Sequence, residues 1–293
     1  MSVKEKIFPT LNRAAVDRYI PAVDMGAAIP RILHQTFYER ALTPQLQHNV
    51  DQLRAANPGW EYRFYDDDDI LRFIRENYPA AVLERFLRID PRYGAARADL
   101  FRYLLMYKVG GVYLDIKSGA TRPFDSVLRP DDRFVLSYWD ASNTEAGWGQ
   151  HYELRDIAAG ELQQWHIICV PGHPFMKAVL ETVLANIDTY LPSLHGVGKN
   201  GVLRVTGPIA YTRAIHRIIA QHPHRIVDSA HDLGLQYNIY RNQSHETAFK
   251  SHYSTQVHPL LQLGAGKQVA TRFWGLVQAT YDVATGRLRK MKS

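Results

Sequence analysis

Apolar positions along this chain recur with two different periods, and the switches between them lay out an alternation of strands and helices. The stretch IPRILHQTF opens the regular part. Ile29, Ile32 and Leu33 form a short apolar strand, Pro30 excludes an interior helix, and the run turns polar at His34, Gln35 and Thr36. A strand that turns polar at its end is expected to deliver those side chains to a rim. Thr43-Pro44 then reads as an N-cap followed by an N1 proline, with Leu46, Val50 and Leu53 on one helical face and Asn57-Pro58-Gly59 as the stop. WEYRFYD alternates as a strand, and Asp66 to Asp69 lead into Ile70, Leu71 and Ile74 at helical spacing. Four acids in a row suggest a metal site, but capping of a helix N-terminus is the preferred reading, because acids concentrate in first helical turns.

Residues 79–89 read as a further helix and Tyr93 to Val109 as a long one, stopped by Gly110-Gly111. GGVYLDIKSG follows as a strand. RFVLSYW and WHIICV are later strands, Pro174 to Leu191 is a helix with Phe175, Val179, Val183 and Ile187 in one stripe, and Gly207-Pro208 turns into another helix. RIVDSA and YNIYR are weaker strand candidates. The alternation predicts an α/β fold with a largely parallel central sheet flanked by helices. No repeat or composition break divides it, so residues 1–28 are read as an N-terminal arm and residues 29–293 as a single domain.

Two elements carry charges where chemistry is possible. In YGAARADLFRYLLMYKV, Ala96, Leu100, Tyr103, Leu104 and Tyr107 define the buried stripe, and Arg97 and Asp99 fall on its opposite borders. A polar group there can be half covered and still face a cleft; a pair of boundary charges in local salt bridges is the plainer alternative. In the strand that follows, the period of two sends Val112, Leu114 and Ile116 to one face and Tyr113, Asp115 and Lys117 to the other, provided the strand stays regular. Ligands of open α/β sheets bind beyond the carboxyl ends of strands. A structural Asp115–Lys117 pair and a ligand site both remain open at this point.

Composition narrows the partners. The 293 residues carry 35 Lys+Arg against 29 Asp+Glu, a formal charge of +6, which favours anionic partners such as nucleotides, phosphates or an anionic membrane face. The basic residues are dispersed and match no nucleic-acid-binding pattern, so nucleic acid is not expected as a partner. The single cysteine, Cys169, lies in an apolar run and is read as a buried hydrophobe in a reducing compartment. No segment has the length of a transmembrane span, and the N-terminus has no long apolar run; a cytoplasmic protein with peripheral contact at a membrane is expected.

IPRILHQTF, NPGWEYRFYDDDDI, ARADLFRYLLMYKVGGVYLDIKSG and TGPIAYTRAI occur in that order between about residue 29 and about residue 220. Together they resemble the family-32 glycosyltransferases, a group that includes yeast initiating α-1,6-mannosyltransferases and bacterial capsule and glycan enzymes. The resemblance implies a GT-A (Rossmann-like) nucleotide-sugar-binding fold and transfer of a hexose from a UDP- or GDP-sugar to a glycan, lipid-linked or other hydroxyl acceptor, with retention of configuration. It implies donor contacts from His34, Gln35, Thr36, Arg97, Asp99 and Asp115, and catalytic roles for Asp115, Lys117, Arg97 and Asp99. Acceptor contacts would come from Trp165, His166, Thr206 and Gly207. Mn²⁺ or Mg²⁺ would be held by Asp115, with His252 in the late segment KSHYS as a further candidate.

Lys117 departs from the family pattern, which has a second metal-binding aspartate there. An ammonium removes an oxygen ligand and repels the ion. Either the metal is held through the remaining groups, or Lys117 itself neutralises the leaving diphosphate. Two other classes compete with the transferase: a nucleotide-sugar or glycan-binding protein on the same fold that has lost catalysis, and a glycoside hydrolase working through paired carboxylates. The polar segment of residues 140–156 is either an acceptor-binding lid or a plain surface loop.

Overall fold

The computed structural model describes residues 19–139, 149–240 and 256–264. The first strand is β1 (Ile32–Thr36), followed by helix α1 (Pro44–Ala56), whose N-cap Thr43 accepts from the Leu46 amide as expected. β2 (Glu61–Tyr65) lies parallel to β1, with Leu33 opposite Tyr62 and Gln35 opposite Phe64. The acid run is a capping box. Asp66 accepts from the Asp69 amide, Asp69 reaches back to the Asp66 amide, and α2 (Asp67–Asn77) begins there. α3 (Ala80–Arg88) and α4 (Gly94–Val109) follow, then β3 (Gly111–Leu114), β4 (Gly119–Ala120), β5 (Phe134–Leu136) and β6 (His166–Cys169). The C-terminal half adds α5 (Pro174–Thr189), α6 (Pro192–His195), α7 (Gly198–Val205), α8 (Pro208–His216), β7 (Arg225–Ile226) and β8 (Leu235–Gln236).

The main sheet has six strands in the order β2-β1-β3-β6-β5-β7, and β4 and β8 form a separate antiparallel pair. β6 is antiparallel to both β3 and β5, while the other pairings are parallel. The expected α/β class with a largely parallel, helix-flanked sheet is therefore observed, with one reversed strand. Because β6 is reversed, its N-terminal end arrives beside the C-terminal end of β3: Leu114 pairs with His166, and the Asp115 amide donates to the Trp165 carbonyl at 2.9 Å.

Side-chain alternation divides the core. Tyr113, Phe134, Ile167 and Cys169 face a large cluster with α4, α5 and α8, while Val112, Leu114, Val135 and Ile168 face a smaller one with Leu33, Leu53 and Phe124. Cys169 is buried with its thiol toward the Met106 carbonyl, and burial pushes that thiol up, which makes it unreactive. At the corner between α4 and β3 the backbone turns through Gly110 (φ 67°) and Gly111 (φ 104°). A Cβ on either would meet backbone, Pro171 N at 2.5 Å or Ile32 O at 2.6 Å. The described part of the N-terminal arm packs on the body at this corner: Gly26 N donates to Pro171 O, and Tyr107 donates its hydroxyl to Pro21 O.

Two expectations of local geometry are corrected. α4 does not have an apolar stripe with charged borders, because every residue from Asp99 to Tyr107 is buried. It lies between the sheet and its neighbouring helices, so its polar groups must be paired inside the protein. The GGVYLDIKSG strand ends at Leu114. The chain then turns, with Ser118 N donating to Asp115 O at 2.8 Å, so Lys117 does not continue the alternation that Asp115 would begin.

Candidate active site

β1 is the topological switch point of the sheet. The chain leaves β1 to β2 on one side and returns to β3 on the other, so the C-terminal ends of β1 and β3 flank the junction at which ligands of open α/β sheets bind. Gln35 spans it, donating from Nε2 to the Asp115 carbonyl at 3.3 Å while its Oε1 accepts from the Tyr62 hydroxyl at 3.1 Å. Asp115 is the first residue past β3, and its side chain is 24% exposed.

Beneath Asp115 lies a buried ion-pair chain. Arg102 sets Nη1 3.0 Å from Asp115 Oδ1 and Nη2 3.1 Å from Asp99 Oδ1. The same guanidinium donates to the Gln164 and Ala98 carbonyls and lies 5.0 Å above the Tyr113 ring. Asp99 is fully enclosed and accepts from Thr206 Oγ1 at 2.9 Å and Gln164 Nε2 at 3.1 Å. Burial pushes its carboxyl up, opposed by Arg102, Thr206 and Gln164. The two neighbouring carboxylates, Asp115 and Asp99, hold the Arg102 guanidinium charged despite its burial. Such a pair persists only where its remaining donors and acceptors are met. Here Tyr103 completes the frame, donating its hydroxyl to Gln164 Oε1 at 2.6 Å and lying 2.9 Å from the Thr206 carbonyl.

The sequence-derived candidates divide between this site and the frame. Gln35, Asp99, Asp115 and Thr206 are brought together, although Thr206 serves Asp99 and is wholly buried instead of lining an acceptor surface. Gly207 precedes α8 in a tight turn, its amide on Val202 O, and a Cβ there would meet Leu203 Cα at 2.9 Å. His34 and Thr36 do not reach a rim. His34 is buried between Tyr65 OH and Gly110 O, where burial lowers it to about 4, and Thr36 donates to Tyr65 O. Arg97 turns to α3, with Nε and Nη2 on the Ile89 carbonyl and its guanidinium over Phe86. Arg102, five residues on, takes the position expected of Arg97. The i, i+3 spacing from Asp99 to Arg102 was the signal available.

Trp165 and His166 are buried at the entrance of β6, their rings 4.5 Å apart. Trp165 Nε1 and His166 Nδ1 have no protein partner among the described residues, and burial lowers His166 to about 3. Lys117 donates from Nζ to the Tyr237 hydroxyl at 3.1 Å and lies 4.3 Å from that ring's centroid. Tyr237 stands between Trp139 and Trp165, at 5.2 and 5.5 Å. It follows β8, in a region where the sequence signalled only a weak strand. His252 and residues 140–148 of the candidate lid lie outside the described residues.

The described residues do not fit Mn²⁺ or Mg²⁺. The first position of the motif offers a carboxylate already paired with Arg102, and the second offers an ammonium. Among the described residues no group of three or more His, Cys, Asp and Glu side chains could hold a metal ion. Hard divalent cations require several oxygen ligands.

The fold thus places an anchored aspartate at the switch point of an α/β sheet, where ligands of such sheets bind. Residues 43–135 match the glycosyltransferase sugar-binding region containing a DXD motif, a stretch that includes Asp115 and Lys117. Inositol phosphoceramide mannosyltransferase 3 of Schizosaccharomyces pombe is 31% identical over 105 residues, 36% of this chain and 29% of that protein. Mannosyl phosphorylinositol ceramide synthase SUR1 of Saccharomyces cerevisiae is 31% identical over 178 residues, 60% of this chain and 40% of its own. The solved PaToxG glycosyltransferase covers 91% of this chain and 90% of its own, at 15% identity and a TM-score of 0.48. The chain thus resembles the DXD-containing glycosyltransferases over residues 43–135, in line with the resemblance of its motifs. It spans less than half the length of either curated relative.

Proposed function

We propose that this protein is a retaining glycosyltransferase that moves a hexose from a UDP- or GDP-sugar to a hydroxyl of a glycan or lipid. The observation that carries the reading is Asp115, the partly exposed end of an otherwise buried Asp99–Arg102–Asp115 chain, fixed at the sheet's switch point. Mannose is the sugar to test first, because the names of both curated relatives combine mannosyl with an inositol phosphoceramide or phosphorylinositol ceramide.

In this reading Asp115 accepts hydrogen bonds from hydroxyls of the donor, and Arg102 holds its carboxylate in place. The bond between the anomeric carbon and the diphosphate oxygen breaks, and its electron pair leaves with the diphosphate. The acceptor hydroxyl oxygen bonds to that carbon on the same face, and its proton passes to the departing diphosphate. Fixed positive charge near the leaving group lowers the barrier, because it is oriented before the charge develops. Alignment of the acceptor supplies the rest.

Release of free UDP or GDP from a panel of sugar donors, with mannosyl and lipid-linked acceptors present, tests the proposal. The expected result is nucleoside diphosphate release that depends on acceptor and is lost in Asp115→Asn. Donor binding without any release across the panel would favour the noncatalytic binding protein instead.

A further inference from the structure

We propose that Lys117 holds the donor's diphosphate as a fixed ammonium, positioned by Tyr237, so that this site binds a nucleoside diphosphate without a divalent cation. This rests on the glycosyltransferase reading and gives the site its own solution to the charge of the leaving group.

The turn that carries Lys117 is clamped at every carbonyl. Asp115 O accepts from Gln35 Nε2 and Ser118 N, Ile116 O and Ser118 O accept from Asn49 Nδ2 at 3.3 and 2.9 Å, and Lys117 O accepts from Ile239 N at 2.9 Å. Ser118 Oγ donates to Tyr237 O at 2.8 Å, and the β4–β8 ladder pairs Gly119 with Gln236. The backbone beneath the ammonium is therefore fixed before any ligand arrives.

Tyr237 orients the ammonium without cancelling it. A carboxylate partner would neutralise Lys117, whereas a phenol accepts one hydrogen bond and offers a ring face, leaving the charge intact. An ammonium has three donors. One goes to Tyr237, and Lys117 makes no other side-chain hydrogen bond among the described residues.

Formal charge separates the two ways of holding a diphosphate. With an aspartate at position 117, Asp99, Asp115 and that residue against Arg102 would carry a net −2, the charge a divalent cation offsets. With lysine, two carboxylates face two cations and the group is neutral. A dication would then add its whole charge beside Arg102 and Lys117, which opposes its binding.

Calorimetric titration of UDP, GDP, UMP and GMP, in chelator and again in Mn²⁺, tests the proposal on the purified chain. Wild type is expected to bind its preferred diphosphate equally well in both. Lys117→Met should weaken that diphosphate by about tenfold or more, the scale of a lost charge-assisted contact, while leaving the monophosphate nearly unchanged. Tyr237→Phe keeps the ring and should narrow the diphosphate-to-monophosphate preference in the same direction, at an unchanged melting temperature. Lys117→Asp should regain diphosphate affinity only when Mn²⁺ is added. A wild-type requirement for Mn²⁺ overturns this inference alone, as does a Lys117→Met protein that is folded and binds diphosphate normally. Absence of any nucleotide binding by wild type, with or without metal, overturns the proposed function and this inference with it.

Discussion

Arg102 sits 3.0 Å from the carboxylate of Asp115 and, through its other terminal nitrogen, 3.1 Å from that of Asp99, so one guanidinium joins a fully buried acid to a partly exposed one. Removing it strands Asp99. Arg102→Leu is expected to destabilise the fold by about 3–5 kcal/mol, the range for breaking a buried pair from one side. Asp115→Asn acts on the exposed end and should cost about 1–2 kcal/mol, since an amide oxygen still accepts from Arg102. Urea denaturation of both variants checks the order. Equal losses would mean that Asp115, not Asp99, is the acid Arg102 chiefly serves.

Arg97 and Asp99 lie two residues apart on α4 but do different work. Arg97→Gln removes the donors on the Ile89 carbonyl and the guanidinium over Phe86. It is expected to cost about 1–2 kcal/mol of stability, as a lost buried hydrogen bond does, with nucleotide affinity unchanged. Asp99→Asn should lower donor affinity by releasing Arg102 and, through it, Asp115. Titration calorimetry with the preferred nucleoside diphosphate reads both.

Three buried histidines set an acid limit on stability. Burial holds His34 and His173 at about 4 and His166 at about 3, all below the 6.5 of an exposed imidazole. The unfolded chain therefore binds more protons than the folded one between about pH 6.5 and 4, so unfolding free energy falls with pH across that window and is level above it. Each group adds up to about 1.4 kcal/mol per pH unit to the slope. His173 is the clearest to test because its Nδ1 accepts from Phe175 N at the start of α5, which a protonated ring cannot do. Denaturation midpoints of wild type and His173→Asn between pH 7 and 4 should converge as pH falls. A wild-type midpoint that rises on acidification would contradict the assignment.

The alternation of periods in the sequence already contained the α/β class, because strand and helix lengths are written in where apolar residues recur. The capping signals at Thr43-Pro44 and Asp66–Asp69 were legible for the same reason: they act within a few residues of chain. Two kinds of information were not local. Whether a helix is covered on one side or all round depends on its neighbours, so the pattern of α4 alone puts Arg97 and Asp99 at the borders of a stripe, whereas Asp99 lies in the interior and Arg102 is its partner. The end of β3 depends on Asn49 and the 235–239 segment clamping the turn, contacts 67 or more residues distant. Polar His34 and Thr36 at the end of β1 resembled a rim for a related reason. Nothing near them in sequence announces Tyr65 and Gly110, the partners that let them be buried.

Asn49 is the most economical place to separate the mount of Lys117 from its charge. Its amide nitrogen donates to Ile116 O and Ser118 O from the buried face of α1, and no other side chain bonds to either carbonyl among the described residues. Asn49→Ala leaves both unsatisfied in a buried position, a loss of about 1–3 kcal/mol. It leaves Lys117, Tyr237 and Asp115 chemically intact. If the ammonium acts through preorganisation, diphosphate affinity should fall while monophosphate affinity holds, because a loosened turn spreads the charge over more positions without removing it. Addition of Mn²⁺ should not restore it, since no oxygen ligand has been created. If affinity for both nucleotides falls in parallel with stability, Asn49 supports the fold alone, and the rigidity of the turn has no part in binding.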